Sequence, residues 1–171
     1  MRSWVGWKAV LLVLLLAACA TEKVWRSSPA VQSASNDYFE VQLEPLKYNN
    51  PFYDSFRLTV ANRADQSLTI DWIRTIYMHN GKNNGRFAFK GLDAESIKNP
   101  PPDIIPAGGR LSKMIWPIKL IGWVPFRDTG PDADLGFTLG LIPEGQNGID
   151  LAVRLNGEEV RERITVTIVA E

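Results

Sequence analysis

The stretch that decides the fold is Ile149–Ile168, IDLAVRLNGEEVRERITVTI. Apolar residues occupy every second position before Asn156-Gly157, and they do so again in the return segment, where only Glu162 interrupts the apolar face. Asn-Gly favours a two-residue hairpin turn because both residues adopt positive φ readily. The stretch therefore predicts an antiparallel hairpin with one buried and one solvated face.

The same two-residue period recurs upstream, from Tyr38 onward. The segments that carry it are Phe39–Leu43, Phe56–Val60, Leu68–Met78, Arg86–Phe89 (entered through a hairpin at Asn80-Gly81) and Arg110–Trp116. One short helical turn is predicted within Gly91–Asn99, capped by Asp93. About seven short strands predict an all-β fold: a single antiparallel β-sandwich of immunoglobulin-like architecture over residues 38–171.

Part of this domain resembles late-embryogenesis-abundant-type β-sandwich domains. The matching features are Val60-Ala61-Asn62, Ile70-Asp71-Trp72, Asn80-Gly81 and Ile105-Pro106-Ala107-Gly108-Gly109. In those domains a strand that ends in Asn precedes a hairpin with a Gly turn, and a Pro-x-Gly segment opens a later strand. The resemblance implies the sandwich fold and supplies no catalytic residue.

The first residues have the organisation of a secretory signal peptide. Arg2 and Lys8 precede an apolar run of ten residues, 9–18. A helix that crosses a bilayer needs about 20 apolar residues, so the run is too short to be a stable membrane span.

Leu16-Ala17-Ala18-Cys19 resembles the lipobox of bacterial lipoproteins. The resemblance implies cleavage between Ala18 and Cys19, with acyl chains on Cys19 as the membrane anchor. Ala20 follows the cysteine, which is similar to lipoproteins sent to the outer membrane. We therefore expect a lipid-anchored protein of the bacterial outer membrane that faces the periplasm.

Residues 20–37 have no helical or alternating period and are rich in small polar residues. The expected organisation is a lipoprotein signal peptide at 1–18, the lipidated cysteine with a flexible tether at 19–37, and the sandwich at 38–171. A coil of that length could extend to about 60 Å.

The composition excludes several functions. The 171 residues carry 19 Lys+Arg and 19 Asp+Glu, so the chain lacks the excess of basic charge that favours binding to nucleic acid. The single cysteine excludes an intramolecular disulfide. His79, the only histidine, precedes the Asn80-Gly81 turn and is predicted to lie at the surface. Hydrolase, zinc-protease and phosphate-loop motifs are absent, so we expect no enzyme, no metal and no cofactor.

Two loops leave alternatives open. Asp128, Asp132 and Asp134 could gather oxygen ligands around Ca²⁺, but their spacing fits no EF-hand and a solvated turn is the simpler interpretation. The apolar segment Ile118–Phe126 is either a crossover packed over the sandwich or an exposed binding surface. Its candidate binding residues are Trp123, Phe126 and Ile121, and the preceding strand adds Trp116. The two tryptophans could also stack on glycan rings.

These features favour a non-enzymatic interaction or scaffold module of the cell envelope, with a possible envelope protein as partner. Its contacts would come from Ile118–Phe126 or from an open sheet edge, the latter by strand addition. One alternative is a carrier that holds a small apolar ligand between the sheets. A second is a glycan-active hydrolase of the envelope, which requires two converging carboxylates.

Overall fold

A computed structural model describes residues 23–48, 50–93, 95–123 and 137–171. Within these residues the chain forms fourteen strands and two short 3-10 helices, Ser96–Lys98 and Ile118–Leu120. The strands are β1 (Trp25–Ser28), β2 (Gln32–Ser35), β3 (Phe39–Leu46), β4 (Ser55–Asn62), β5 (Leu68–Ile70), β6 (Ile76–His79), β7 (Lys82–Asn83), β8 (Phe87–Phe89), β9 (Asp103–Ile105), β10 (Arg110–Pro117), β11 (Ile121–Trp123), β12 (Phe137–Leu139), β13 (Gly145–Leu155) and β14 (Glu158–Ala170). None of the helices in the described ranges has the length and apolar character needed to cross a membrane.

The strands form two main antiparallel sheets. Sheet A has the order β1-β14-β13-β5-β9, with β6 also paired to β13 and β7 paired to β6. Sheet B has the order β2-β3-β4-β10-β8, and β11 with β12 makes a separate pair. The predicted all-β antiparallel sandwich is confirmed. The strands outnumber the predicted seven because several have only two or three residues, too few to reveal a period.

The C-terminal hairpin is the longest pairing in the molecule. β13 and β14 pair from Gly145↔Ile168 to Leu155↔Glu158. Asn156 and Gly157 adopt φ values of 50° and 83°, as the predicted turn requires. Glu162 breaks the apolar face without leaving its carboxylate unsatisfied, because Asn36 Nδ2 donates a hydrogen bond to it at 3.1 Å.

The core lies between the inward faces of the two main sheets. Alternate residues of β3, β4 and β13 are fully buried there, as are the aromatic rings of Trp72 and Tyr77. Each large apolar side chain removed from water contributes about 1.5–3 kcal/mol, so this packing is the main source of stability.

The flexible tether predicted for residues 19–37 is wrong for most of the described part of that range. β1 pairs with β14 at the edge of sheet A, and β2 pairs with β3 at the edge of sheet B. Trp25 packs against the core. Short runs of small polar residues have little strand preference of their own, and they became strands here because two sheet edges were available to pair with. Residues 19–22 lie outside the described residues.

The segment after Asn80-Gly81 also differs from the prediction. The turn joins β6 to the two-residue strand β7, and β8 then crosses to sheet B and pairs with β10. The predicted helical turn is confirmed: the Asp93 carboxylate accepts hydrogen bonds from the backbone N–H groups of Glu95 and Ser96 at 3.1 and 2.7 Å. The hydroxyl of Ser96 also donates to Asp93, and these bonds lower the pKa of that carboxyl.

Candidate functional site

The candidate site lies at the β9 edge of sheet A. β9 pairs with β5, with Ile104 opposite Thr69, and no second partner strand lies beside it among the described residues. It is three residues long, with prolines at 100–102 before it and Pro106 after it. Short length and flanking prolines limit uncontrolled strand pairing, yet the edge remains a place where another extended chain can be added.

Exposed apolar side chains surround this edge. Ile104 is 68% exposed, the highest value for a large apolar side chain in the described ranges, and Ile73 is 46% exposed. Pro102 is also exposed. We call Ile73, Pro102 and Ile104 the edge patch. Apolar groups left in water at one place commonly mark a contact surface.

A depression of about 220 Å³ adjoins the edge patch. It is lined by Thr69, Asp71, Trp72, Ile73, Pro100, Pro102 and Arg154. Arg154 donates a hydrogen bond to Asp71 at 2.6 Å, which places a charge pair on a mostly apolar rim. The depression is smaller than the roughly 300–1,000 Å³ of typical small-molecule sites, and it suits one large side chain of a partner.

Lys113 fixes the position of the edge. It lies in sheet B on β10, at an inward position between Leu111 and Ile115, and its ammonium forms an ion pair with Asp103 of β9. The same ammonium lies 3.9 Å from the centre of the Phe89 ring and 5.4 Å from that of Trp72.

Trp72 completes this cluster, because its Nε1 donates to Asp103 Oδ2 at 2.7 Å. We call Trp72, Asp103 and Lys113 the edge latch, since it joins the two sheets at their open side. Sequence reasoning missed it. The available signal was a lysine in the apolar register of a predicted strand.

Charge pairs cover the outer face of sheet A. Asp150 accepts hydrogen bonds from Arg161 at 3.0 Å and from Arg163 at 2.9 Å. Burial alone raises the pKa of Asp150, but the two arginines outweigh it, and the net pKa is lowered. Glu159 bonds to Arg74 and Arg161, which also lower the pKa of its carboxyl. These carboxylates are held ionised, and a general acid at neutral pH needs the opposite shift.

The predicted binding residues separate in the structure. Trp116 is 1% exposed in the core, so its predicted role in a binding surface or in glycan stacking is wrong. Trp116 pairs with Ala88 on the face of sheet B opposite Ile115, and this end of β10 is buried on both faces. Ile121 is half-buried and packs against the core, as do Ile118 and Leu120, which favours the crossover interpretation for this part of the segment.

Trp123 is the last residue of β11, where its backbone pairs with Phe137. Phe126 and the lipidation residue Cys19 lie outside the described residues, as do Asp128, Asp132 and Asp134 of the alternative calcium loop.

Elsewhere, in the ranges that the structure describes, no group of three or more His, Cys, Asp or Glu side chains could hold a metal ion. His79 lies at the predicted turn, with Nε2 3.0 Å from the carbonyl oxygen of Glu144.

The positions of the depressions differ from what a carrier of a small apolar ligand requires. A second depression, of about 200 Å³, is lined by Met78, Gly81, Gln146, Arg163 and Thr165. Both depressions lie chiefly on the outer face of sheet A, whereas a carrier needs its space between the sheets.

Comparison with known proteins finds no family model that matches the chain and no significant match to a curated protein.

Proposed function

We propose that the protein is a lipid-anchored lipoprotein of the bacterial cell envelope whose β-sandwich is a non-enzymatic interaction module. The proposed anchor is Cys19, acylated after cleavage at the lipobox Leu16–Cys19. More than one acyl chain makes such anchoring stable, since each buried methylene contributes about 0.8 kcal/mol. The proposed location is the outer membrane, with the domain facing the periplasm.

The observation that carries the interaction role is the edge patch beside the open edge of β9. Ile104 and Ile73 are the two large apolar side chains most exposed at this side, and the 220 Å³ depression adjoins them. The edge latch holds β9 in place before a partner arrives, so little ordering is required on binding.

The partner that this geometry suits is an extended segment of another envelope protein. Only three residues of β9 are available for backbone pairing, so a side chain inserted into the depression must supply much of the affinity. Burial of one large apolar side chain contributes about 1.5–3 kcal/mol, which corresponds to a transient contact.

Site-specific photocrosslinking in intact envelopes tests this role. A photoreactive residue at position 104 should give a discrete adduct with another protein, and Ile73→Asp in the same chain should abolish it. Val169 provides the matched control, since it is 38% exposed on the outer face of the same sheet, far from β9. Val169→Asp should leave the adduct intact. Equal loss with both substitutions, or no adduct at position 104, would contradict the proposal.

A further inference from the structure

The start of β1 fixes the end of the sandwich at which the chain enters. The Val24 N–H donates to the Glu171 carbonyl at 2.7 Å, and the Glu171 N–H donates back to Val24 at 3.0 Å. The Asn80-Gly81 turn lies at the same end, because Asn80 N–H donates to the Gln146 carbonyl at the start of β13. We call this the anchored end, and the end with Asn156-Gly157 the hairpin end.

The chain from the lipidation site to the anchored end is short. Five residue steps separate Cys19 from Val24, and each step spans at most about 3.6 Å, so the reach is at most about 18 Å whatever the conformation. A tether through residue 37 would have reached about 60 Å. Because β1 is part of sheet A, the domain is held much closer to the acyl chains than the sequence predicted.

The anchored end has the chemistry of a surface that contacts lipid headgroups. Its exposed lysines are Lys23, Lys47, Lys82 and Lys119, and its exposed acidic residues are Glu144 and Glu171. Basic side chains near a bilayer are attracted to anionic headgroups.

Two exposed apolar side chains add to this surface, Val24 at 51% and Leu141 at 39% exposure. Glu144 and Glu171 form ion pairs with Lys23 and Arg26 at this end, as Asp71 and Glu40 do with Arg154 and Arg63 at the hairpin end. Among the described residues, Lys47, Lys82 and Lys119 have no ion-pair partner, so the described part of the anchored end keeps an excess of basic charge.

We infer that the anchored end rests on an anionic phospholipid surface and that the hairpin end points away from it. This inference depends on the proposed acylation of Cys19 and goes further by giving the domain one orientation. The edge patch then lies on the side away from the bilayer, because Thr69, opposite Ile104, pairs with Arg154 two residues before the Asn156-Gly157 turn. Its partner would be met in the aqueous compartment.

The two Asn-Gly turns allow a matched test. Lys82 and Glu158 are exposed residues that directly follow the two turns, at opposite ends of sheet A. The eleven residues of β13 separate the turns by about 33 Å. Cys19 is the only native cysteine, and its sulfur carries the lipid, so Lys82→Cys and Glu158→Cys each introduce a single free thiol.

Each acylated full-length variant is labelled with a fluorophore and reconstituted into phosphatidylcholine–phosphatidylglycerol vesicles that contain a headgroup quencher. We expect quenching at position 82 to exceed that at position 158 several-fold. Insertion of about fifteen Gly-Ser residues between Glu22 and Lys23 should reduce quenching at position 82, because the longer link releases the domain. Unchanged quenching with the spacer would overturn the argument from chain reach.

Flotation of the vesicles separates the two possible failures. A protein that floats with the vesicles but is quenched equally at both positions overturns the orientation and leaves the anchor intact. A protein that does not float overturns the acylation and the orientation together.

Discussion

The two lateral sides of the sandwich are closed in different ways. On one side, β1 and β2 are neighbours in the chain and extend the two sheets, so chain continuity joins the sheets there. On the other side, β9 and β8 are the edges, and side chains join the sheets through the edge latch of Trp72, Asp103 and Lys113. The first side therefore depends on backbone pairing, and the second depends on a few individual side chains.

This difference predicts that single substitutions have their largest effect on the latch side. Trp72→Ala removes a fully buried indole whose ring lies 5.1 Å from that of Phe89, and it leaves Asp103 without its indole donor. Loss of a buried aromatic side chain costs about 3–5 kcal/mol of unfolding free energy. Urea denaturation should show this loss, and a cost below about 1 kcal/mol would contradict the assignment of Trp72 to the core.

Trp25→Ala tests whether the other side is part of the folded domain. Trp25 is half-buried against the core, so we expect a cost of about 1–2 kcal/mol in the same denaturation experiment. Val24→Ala is the matched control, because Val24 is 51% exposed, and it should change stability by less than about 0.5 kcal/mol. If residues 24–35 were a flexible tether, neither substitution would have an effect.

Lys113→Met sharpens the comparison by keeping the apolar stem and removing the charge. Asp103 loses its ion pair, and the rings of Phe89 and Trp72 lose a cation–π contact, so we expect a cost of about 1 kcal/mol. Lys119→Met is the control, since Lys119 is exposed and its amine bonds, within the described ranges, only to Asn84, at 3.3 Å. Equal thermal stability of the two variants would show that the latch contributes nothing.

The smallest expected effect is the dependence of stability on pH through Asp150. Asp150 has a lowered pKa in the folded protein, so its contribution to stability is present above its unfolded pKa of about 3.9 and is lost as the pH falls through the folded pKa. Asp150→Asn should therefore cost under about 1 kcal/mol at pH 7, and the difference from the parent should shrink below pH 4. Denaturation curves at pH 7 and pH 3 measure this, and a difference that grows in acid would have the wrong sign.

The parts of the fold that were predictable from sequence are those encoded locally. Alternation and Asn156-Gly157 specify the β13–β14 hairpin within about twenty residues, and Asp93 caps a turn three residues ahead. β1 and β2 were missed because their strand character depends on the sheet edges they join. β9 was missed because a three-residue strand after three prolines shows no period.

The candidate site was less predictable than the fold for the same reason. Trp72 and Asp103 are 31 residues apart, and only the pairing of β5 with β9 brings them together. Trp116 was predicted as a contact residue, but the last residues of β10 are buried on both faces of the sheet, which no local pattern in the sequence indicates. An open sheet edge was predicted as a contact surface, although which edge was open could not be read from local pattern.

The central claim is that a lipid on Cys19 holds this sandwich against a membrane, and metabolic labelling tests it most directly. Cells that express the parent chain or Cys19→Ser are grown with an alkyne-tagged fatty acid, and the purified proteins are assayed for incorporated label. The account predicts label on the parent chain and none on the serine variant. An unlabelled parent chain, or equal labelling of both proteins, would contradict it.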